Sequence, residues 1–372
     1  MKRKTEPTGA EVPVLVAALS PFCFVTFDED DDPQFTLDEV NSGDYDYLKL
    51  CRSTTGLNPE IEQMPEMAVL MTYTGALLFP RMKGVDRDVV LESVNRLLLA
   101  LLFGGIRFDG LAPDDVGFGM LYETGYFTAG GGGAGENFSK LVKLQHRSAG
   151  SFDNIQLIGA RTFPAKDIHE ALGRGRPIVK QIPTLSPTLF LNGLTHFRKS
   201  QFAQSLVFIW SSCETLISKI WDARVIPSGN GISGRKRFIE GNGWQAAHRV
   251  EVLFQLGLVS DKLYGLLNGA RVARNALAHR GAAPSIKDCK AAIDAAFQLL
   301  IVIVDTDDQE EKIMQLTKSI VSTHDPVGGP IDPQHWRDIP AVPGDRTWGD
   351  KDYPRYPEIE LKPFGGSKRG SR

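Results

Sequence analysis

Near the end of one predicted helix, an arginine and a histidine lie close enough in sequence to form a reactive pair. They are Arg274 and His279, with Asn275 directly after the arginine. Histidine side chains exchange protons near neutral pH, which suits general acid–base catalysis. Arginine stays charged, and its planar guanidinium matches the extra negative charge on a phosphate under attack. RNA carries its own nucleophile, the 2′-hydroxyl, so such a pair can cleave its backbone without a metal or a protein nucleophile.

The spacing restricts how these two side chains can meet. On one continuous helix, positions five residues apart lie about 140° apart around the axis. A shared site therefore requires either a frayed helix end or a second subunit. The pair also has an ordinary explanation, in which the histidine is stabilised by the C-terminal end of the helix dipole and the arginine is a surface residue.

Charge is distributed unevenly along the 372 residues, whose net charge is −3 at pH 7. Residues 184–305 contain 14 Lys and Arg against 8 Asp and Glu, a net charge of +6, so the remainder carries −9. A basic segment in an acidic chain indicates a polyanionic partner for that segment. Scattered surface charge would give the same balance.

Several classes of protein are disfavoured by the composition. The longest apolar runs, 97–103 and 299–304, are far shorter than the roughly 20 residues that cross a bilayer. The cysteines are widely spaced and form no CxxC pair: Cys23, Cys51, Cys213 and Cys289. We therefore expect a cytoplasmic protein that has no membrane contact, no disulfide framework, no metal and no cofactor.

The pattern predicts an α+β fold, with a mixed and mainly-β domain at 1–183, an all-α bundle at 184–320 and an extended Pro/Gly-rich tail at 321–372. The first domain would serve as a sensor or regulator. Its predicted strands lie at 14–18, 22–27, 68–79 and 155–158. Its single predicted helix lies at 86–103. The Gly-rich segment 129–135 lacks the ending of a phosphate-binding loop and is predicted to be flexible. The acidic run 28–32 is predicted to be a solvated turn.

Apolar residues at steps of three and four predict the helices of the bundle. These lie at 202–221, 235–240, 246–256, 260–279 and 285–304. Ser260 is a plausible cap for the fourth helix, and Gly281 with Pro284 supplies its stop.

Residues 187–305 resemble the HEPN superfamily, and its Apea-like branch in particular. The family motif is an arginine, four to six residues and a histidine, often with asparagine after the arginine, and Arg274-Asn275-Ala276-Leu277-Ala278-His279 fits it. An earlier helix of the branch carries an apolar-Trp, small, Glu, Leu-Leu type pattern. The segment Ile209-Trp210-Ser211-Ser212-Cys213-Glu214-Thr215-Leu216-Ile217 looks like that helix.

The resemblance implies a metal-independent endoribonuclease that leaves a 2′,3′-cyclic phosphate and a 5′-hydroxyl. It also implies a homodimer formed through the bundle, and a regulated toxin-like or antiviral defence effector in a prokaryote. The catalytic residues it implies are Arg274, His279, Asn275 and Glu214. Basic residues nearby that would bind RNA are Arg271, Arg280, Lys287 and Lys290. Each of them, like the run 235–237, also fits ordinary surface charge.

Alternatives remain open at two levels. Glu214 borders the apolar stripe of its helix, so its carboxylate needs a partner. That partner is either Arg274, whose guanidinium it would orient, or Arg271 or Lys219 in a purely structural pair. For the whole chain, the alternatives are a catalytically silent HEPN module that binds nucleic acid, nucleotide or protein, and a functional N-terminal domain with the bundle as its dimeriser.

Overall fold

A computed structural model describes residues 11–27, 34–58, 68–81, 83, 86–229, 234–241, 243–304 and 307–322, with only the backbone described at 307–309. Its strands are β1 (Glu11–Ala17), β2 (Cys23–Thr26), β3 (Ser53–Leu57), β4 (Val69–Thr72), β5 (Leu77–Pro80), β6 (Val116–Tyr122), β7 (Phe127–Gly131) and β8 (Arg161–Pro164). Six of them form an antiparallel sheet in the order β3-β4-β5-β1-β6-β7. The other two, β2 and β8, pair in parallel.

The helices of the described residues are α1 (Leu37–Ser42), α2 (Tyr47–Leu50), α3 (Arg87–Phe103), α4 (Glu136–Gln145), α5 (Ser151–Asn154), α6 (Ala165–Gln181), α7 (Pro187–Arg198), α8 (Phe202–Arg224), α9 (Arg235–Glu240), α10 (Ala246–Gln255), α11 (Asp261–Arg280), α12 (Ile286–Val304) and α13 (Asp307–Val321). Helices α7 and α12 both pack closely on α8, and α11 and α13 both pack on α12. The rings of Phe190 and Phe297 meet at 5.4 Å between centroids and join α7 to α12. This arrangement is a helical bundle.

The sheet is covered by helices on both faces because its central strand is apolar on both. Leu15 and Ala17 of β1 belong to the core cluster that contains α3. Val14 and Val16, which point the other way, pack in a cluster with Phe138 of α4. Side chains alternate along a strand, so consecutive apolar residues are expected where both faces are buried.

Helices α3 and α6 pack at glycine contacts. A Cβ atom built on Gly175 of α6 would lie 1.8 Å from the carbonyl oxygen of Ala100 on α3. Likewise, a Cβ atom on Gly104 would lie 2.1 Å from the carbonyl oxygen of Ala171. Both distances are far below van der Waals contact, so this close approach requires the two glycines.

Residues on the two sides of position 183 are joined by buried polar contacts. Arg198 of α7 forms an ion pair with Asp109, with Nε donating to Oδ1 at 3.0 Å and Nη2 donating to Oδ2. The Asp109 side chain is only 8% exposed and also accepts from Ser20 Oγ at 2.9 Å. Asn95 of α3 donates to Thr188 Oγ1 at 3.1 Å. All described helices and strands belong to one compact unit, Met1–His324, and the domain boundary at 183 within it stays a prediction.

Most of the predicted elements are confirmed, and the fold is α+β as expected. Strands occupy 14–17, 23–26 and the hairpin β4–β5, and α3 begins after its cap Asp86 as predicted. The strand predicted at 155–158 is wrong, because Ile155–Leu157 is a 3₁₀ turn. The segment predicted to be mainly β also contains α4 and α6, and part of the predicted loop 129–135 belongs to β7. The acidic run 28–32 and tail residues 323–372 lie outside the described residues.

Candidate functional site

Helix α11 carries Arg274 and His279 and is regular along its whole length. Ser260 Oγ caps its start by accepting from the Leu263 backbone N–H at 3.3 Å. Gly281 ends it in the left-handed conformation, with φ +64°, and its N–H donates to the carbonyl oxygens of Ala276 and Leu277. Because Asp261–Arg280 is one continuous helix, it shows no frayed end that would bring Arg274 and His279 together within one copy. A second subunit stays a prediction.

The structure brings Arg274 and Asn275 together and leaves His279 apart from them. Arg274 and Asn275 are half-buried, and the Arg274 guanidinium donates from Nη1 to Asn275 Oδ1 at 3.3 Å. His279 is exposed in the last turn of the helix. From helix geometry, its Cα lies about 7.5 Å further along the axis than that of Arg274 and about 140° around it. One copy of the chain thus offers a guanidinium and an imidazole that face different directions.

The Glu214 carboxylate is hydrogen-bonded to a tryptophan and not to an arginine. Its Oε1 accepts from the indole Nε1 of Trp210 at 2.8 Å, one turn earlier on α8. Among the described residues, Glu214 forms no ion pair with Arg274, Arg271 or Lys219. The predicted requirement for a partner is met by a buried indole, since Trp210 is 2% exposed. A catalytic role for Glu214 stays a prediction.

The predicted RNA-binding cations lie around the end of α11 and the start of α12. Arg271 is half-buried and donates from Nη2 to Asn268 Oδ1 at 2.7 Å, and Arg280 is exposed. Lys287 is exposed and Lys290 is half-buried, both in the first turns of α12. Because residues 281–285 connect the end of α11 to the start of α12 and the two helices pack on each other, all four cations belong to the same region of the bundle.

The second half of α11 is at most half-buried by the part of the chain that the structure describes. The buried residues of the helix are Leu263, Leu267 and Ala270, and none lies beyond residue 270. Half of the remaining ten residues are nevertheless apolar, namely Val272, Ala273, Ala276, Leu277 and Ala278. A cavity of about 380 Å³ opens beside this half, between α11 and the start of α12. This surface, residues 271–280, is called the open half of α11 below.

The described residues contain no group of three or more His, Cys, Asp or Glu side chains placed to hold a metal ion. No helix in the described part of the chain has the length and apolar character needed to cross a membrane.

The structure contains a second concave surface that the sequence analysis does not predict, although the last residue of the basic run 235–237 lines it. It is a cavity of about 870 Å³ formed by α9, α10 and the segment between them. Phe238 and Trp244 line it beside Arg237. Aromatic residues following a basic run were the available signal, but their convergence depends on a tertiary contact.

Comparison with known proteins adds no relative. No protein-family model, curated protein or solved structure matches the chain. The HEPN resemblance rests on the residues quoted for it above.

Proposed function

We propose that this protein is a metal-independent endoribonuclease of HEPN type, with its catalytic centre at Arg274 and His279. The observation that carries the proposal is the open half of α11. It presents the half-buried Arg274–Asn275 pair and an exposed His279 on a surface that the described residues cover only in part. These residue types match the chemistry of a metal-free phosphodiester cleavage.

The reaction follows from the groups available. The 2′-oxygen of the RNA attacks the adjacent phosphorus, the bond from phosphorus to the 5′-oxygen breaks, and a 2′,3′-cyclic phosphate remains. The 2′-hydroxyl loses a proton and the 5′-oxygen gains one, and His279 exchanges a proton with one of these oxygens. Arg274 stabilises the negative charge on the phosphate oxygens, and Asn275 orients its guanidinium through the 3.3 Å hydrogen bond.

A second copy of the chain completes the proposed site. Because α11 is continuous, Arg274 and His279 of one copy face directions about 140° apart. Pairing two copies across the open half of α11 would place the arginine of one beside the histidine of the other. It would also bury the apolar residues exposed there, among them Val272, which is 52% exposed. Arg271, Arg280, Lys287 and Lys290 would then contact the RNA backbone near the cleft.

The resemblance extends the proposal to biological role. It implies a regulated toxin-like or antiviral defence effector acting in the cytoplasm, with the sheet-containing part as the sensor. The ion pair of Asp109 with Arg198 supports such regulation, because it connects that part to the bundle.

Cleavage of a mixed panel of tRNA and single-stranded RNA in EDTA tests the proposal. Wild type should cut, and His279→Ala and Arg274→Ala should each lose at least about a hundredfold in rate. His146→Ala is the matched control, because His146 is also an exposed histidine at the C-terminal end of a helix. Products should carry cyclic-phosphate ends. Cutting that survives in His279→Ala would end the assignment of this residue, and a wild type that binds RNA without cutting would favour the silent module.

Mixing the two inactive variants tests the two-copy site. A dimer of Arg274→Ala with His279→Ala retains one arginine and one histidine in different copies. If the site is shared, mixing should restore part of the wild-type activity. If each copy supplied its own complete pair, the mixture would stay inactive.

A further inference from the structure

The cavity at α9 and α10 has the size and lining of a ligand site. Its volume of about 870 Å³ lies within the range of roughly 300–1,000 Å³ that small-molecule sites occupy. The lining side chains that matter here are Arg237, Phe238, Trp244, His248 and Glu251. They combine two aromatic rings with charged groups of both signs. We call this surface the aromatic cavity.

Two aromatic rings line the cavity, and contacts with neighbouring residues position them. The Trp244 ring packs on the Trp221 ring with centroids 5.1 Å apart, and Trp221 is only 1% exposed. Trp244 Nε1 donates to the backbone oxygen of Phe238 at 3.1 Å. The Phe238 ring meets Trp244 edge to face at 5.7 Å and is itself 69% exposed. These contacts within the protein hold the Trp244 ring, and the Phe238 ring beside it is open to solvent.

The polar groups of the cavity are also positioned. The Glu251 carboxylate accepts from Tyr264 Oη at 2.8 Å and from Gln255 Nε2 at 3.0 Å. Those hydrogen bonds, first from Gln255 and then from Tyr264, hold the pKa of Glu251 below its usual range. A carboxylate has about four acceptor positions, so Glu251 can still accept hydrogen bonds from a ligand. Arg237 supplies a positive charge at the edge of the cavity, next to Arg235 and Lys236 in sequence.

We propose that the aromatic cavity binds an unpaired nucleotide of a single-stranded RNA. The base would stack on the exposed Phe238 ring and meet Trp244, which is edge to face with Phe238, at its edge. An N–H group of the base would donate to Glu251, and Arg237 would contact the adjacent phosphate. Stacking platforms with nearby cations are the general means of binding unpaired bases. This inference rests on the proposed nuclease function and specifies its substrate class as single-stranded RNA.

The position of the cavity suits a substrate that also reaches Arg274 and His279. Tyr264, which holds Glu251, lies in the first turns of α11, and His279 lies in its last turn. The two positions are fifteen residues apart, which spans about 22 Å along the helix axis. A strand held in the aromatic cavity can therefore run along the bundle toward the cleavage site.

Binding can be measured without cleavage. The probe is a fluorescently labelled, unstructured RNA with 2′-O-methyl groups, which lacks the nucleophile and cannot be cut. Fluorescence anisotropy gives its Kd for wild type, Phe238→Ala and Arg237→Gln. Phe152→Ala is the matched aromatic control, because Phe152 is 93% exposed on α5. Arg235→Gln is the matched charge control. It removes the same charge two residues earlier, and the Arg235 side chain does not line the cavity.

Phe238→Ala should weaken binding by roughly five- to a hundredfold, and Phe152→Ala should leave the Kd unchanged. Arg237→Gln should weaken binding more than Arg235→Gln. A duplex RNA should compete poorly, because its bases are already stacked. Thermal unfolding of Phe238→Ala should match wild type, since the side chain removed is mostly in solvent.

Three results would overturn the inference: no binding by wild type, equal binding by Phe238→Ala, or free mononucleotides that bind as tightly as the strand. The last result would make the cavity a nucleotide site. Binding that depends on Phe238 in a protein that never cuts RNA would remove the nuclease proposal alone. If wild type cuts RNA but Phe238→Ala binds the probe as tightly as wild type, only this inference is overturned.

Discussion

At the scale of single residues, the contact between Glu214 and Trp210 separates a structural from a catalytic role. Trp210 is buried, and its indole N–H has Glu214 Oε1 as acceptor at 2.8 Å. Glu214→Ala would leave that donor unpaired, so we expect the free energy of unfolding to fall by about 1–3 kcal/mol. Glu214→Gln keeps an acceptor oxygen and should stay within about 1 kcal/mol of wild type. Urea denaturation followed by circular dichroism measures both.

Cleavage by the same two variants addresses the charge of Glu214. If the carboxylate only caps the indole, Glu214→Gln should cut RNA at nearly the wild-type rate. A stable Glu214→Gln protein that has lost cleavage would show that the negative charge acts on the site, as the resemblance to the HEPN superfamily implies. An Ala variant as stable as wild type would contradict the structural role.

The cysteines give a second prediction at this scale. All four are free and buried. Burial raises the pKa of Cys23 and of Cys289 to about 12 and that of Cys51 to about 11, and it raises the pKa of Cys213 as well. A raised pKa lowers the thiolate fraction at pH 8, and the thiolate is the reactive form.

We therefore expect Ellman's reagent to react slowly with the native protein at pH 8 and rapidly with the protein in urea. Ser151→Cys places a thiol at an exposed position on α5 and should react at once under native conditions. Rapid native labelling of wild type would contradict the burial of at least one of its thiols.

At the scale of elements, substitution by alanine should have opposite effects on stability at two glycines, one within α11 and one directly after it. Gly281 ends the helix at φ +64°, where a side chain is strained even though nothing lies within 4 Å of the position. Gly281→Ala should therefore destabilise the protein by about 1 kcal/mol. Gly265 lies within the helix at an exposed position with open space around it. Gly265→Ala should stabilise by up to about 1 kcal/mol.

Urea denaturation of the two variants, with equal m-values, checks this pair. The Gly281 variant should also cut RNA more slowly, because the last turn of α11 positions His279. Equal shifts of the denaturation midpoint in the same direction would contradict the helix end assigned here.

The elements also show which parts of the fold a sequence can predict. The long helix α8 was predictable because its apolar residues recur at helical spacing from Leu206 to Trp221. Helix α6 was not, because Gly173, Gly175 and Pro177 normally indicate a loop. Gly175 is required by the backbone of α3, whose Ala100 oxygen leaves no space for a Cβ atom. That requirement comes from a partner distant in sequence, which local patterns do not contain.

The same distinction holds for the sites. Arg274, Asn275 and His279 lie on one helix, so their order, spacing and angular separation followed from the sequence. The hydrogen bond between Glu214 and Trp210 also joins residues one helical turn apart, but the sequence analysis considered only cationic partners. The aromatic cavity depends on Trp244 reaching Trp221, a contact between different elements. No spacing rule predicts that contact.

At the scale of the whole molecule, the proposed dimer would explain both the exposed apolar surface of α11 and the separation of Arg274 from His279. Val272 is 52% exposed within the open half of α11. A glutamate there would put an unpaired charge into an apolar interface, which is strongly unfavourable. Val207 is a matched control, because it is a 41% exposed valine on α8.

Val272→Glu should therefore be monomeric at concentrations where wild type and Val207→Glu are dimeric, and it should lose cleavage with the dimer. Light scattering after size exclusion gives the mass, and the EDTA cleavage assay gives the activity of the same samples. Cleavage by wild type should also fall on dilution below the dimer Kd, because the site needs two copies. A monomeric Val272→Glu that still cuts at the wild-type rate would place a complete site in one chain. A Val272→Glu protein that remains a dimer would place the interface on another surface and leave the open half of α11 free for RNA.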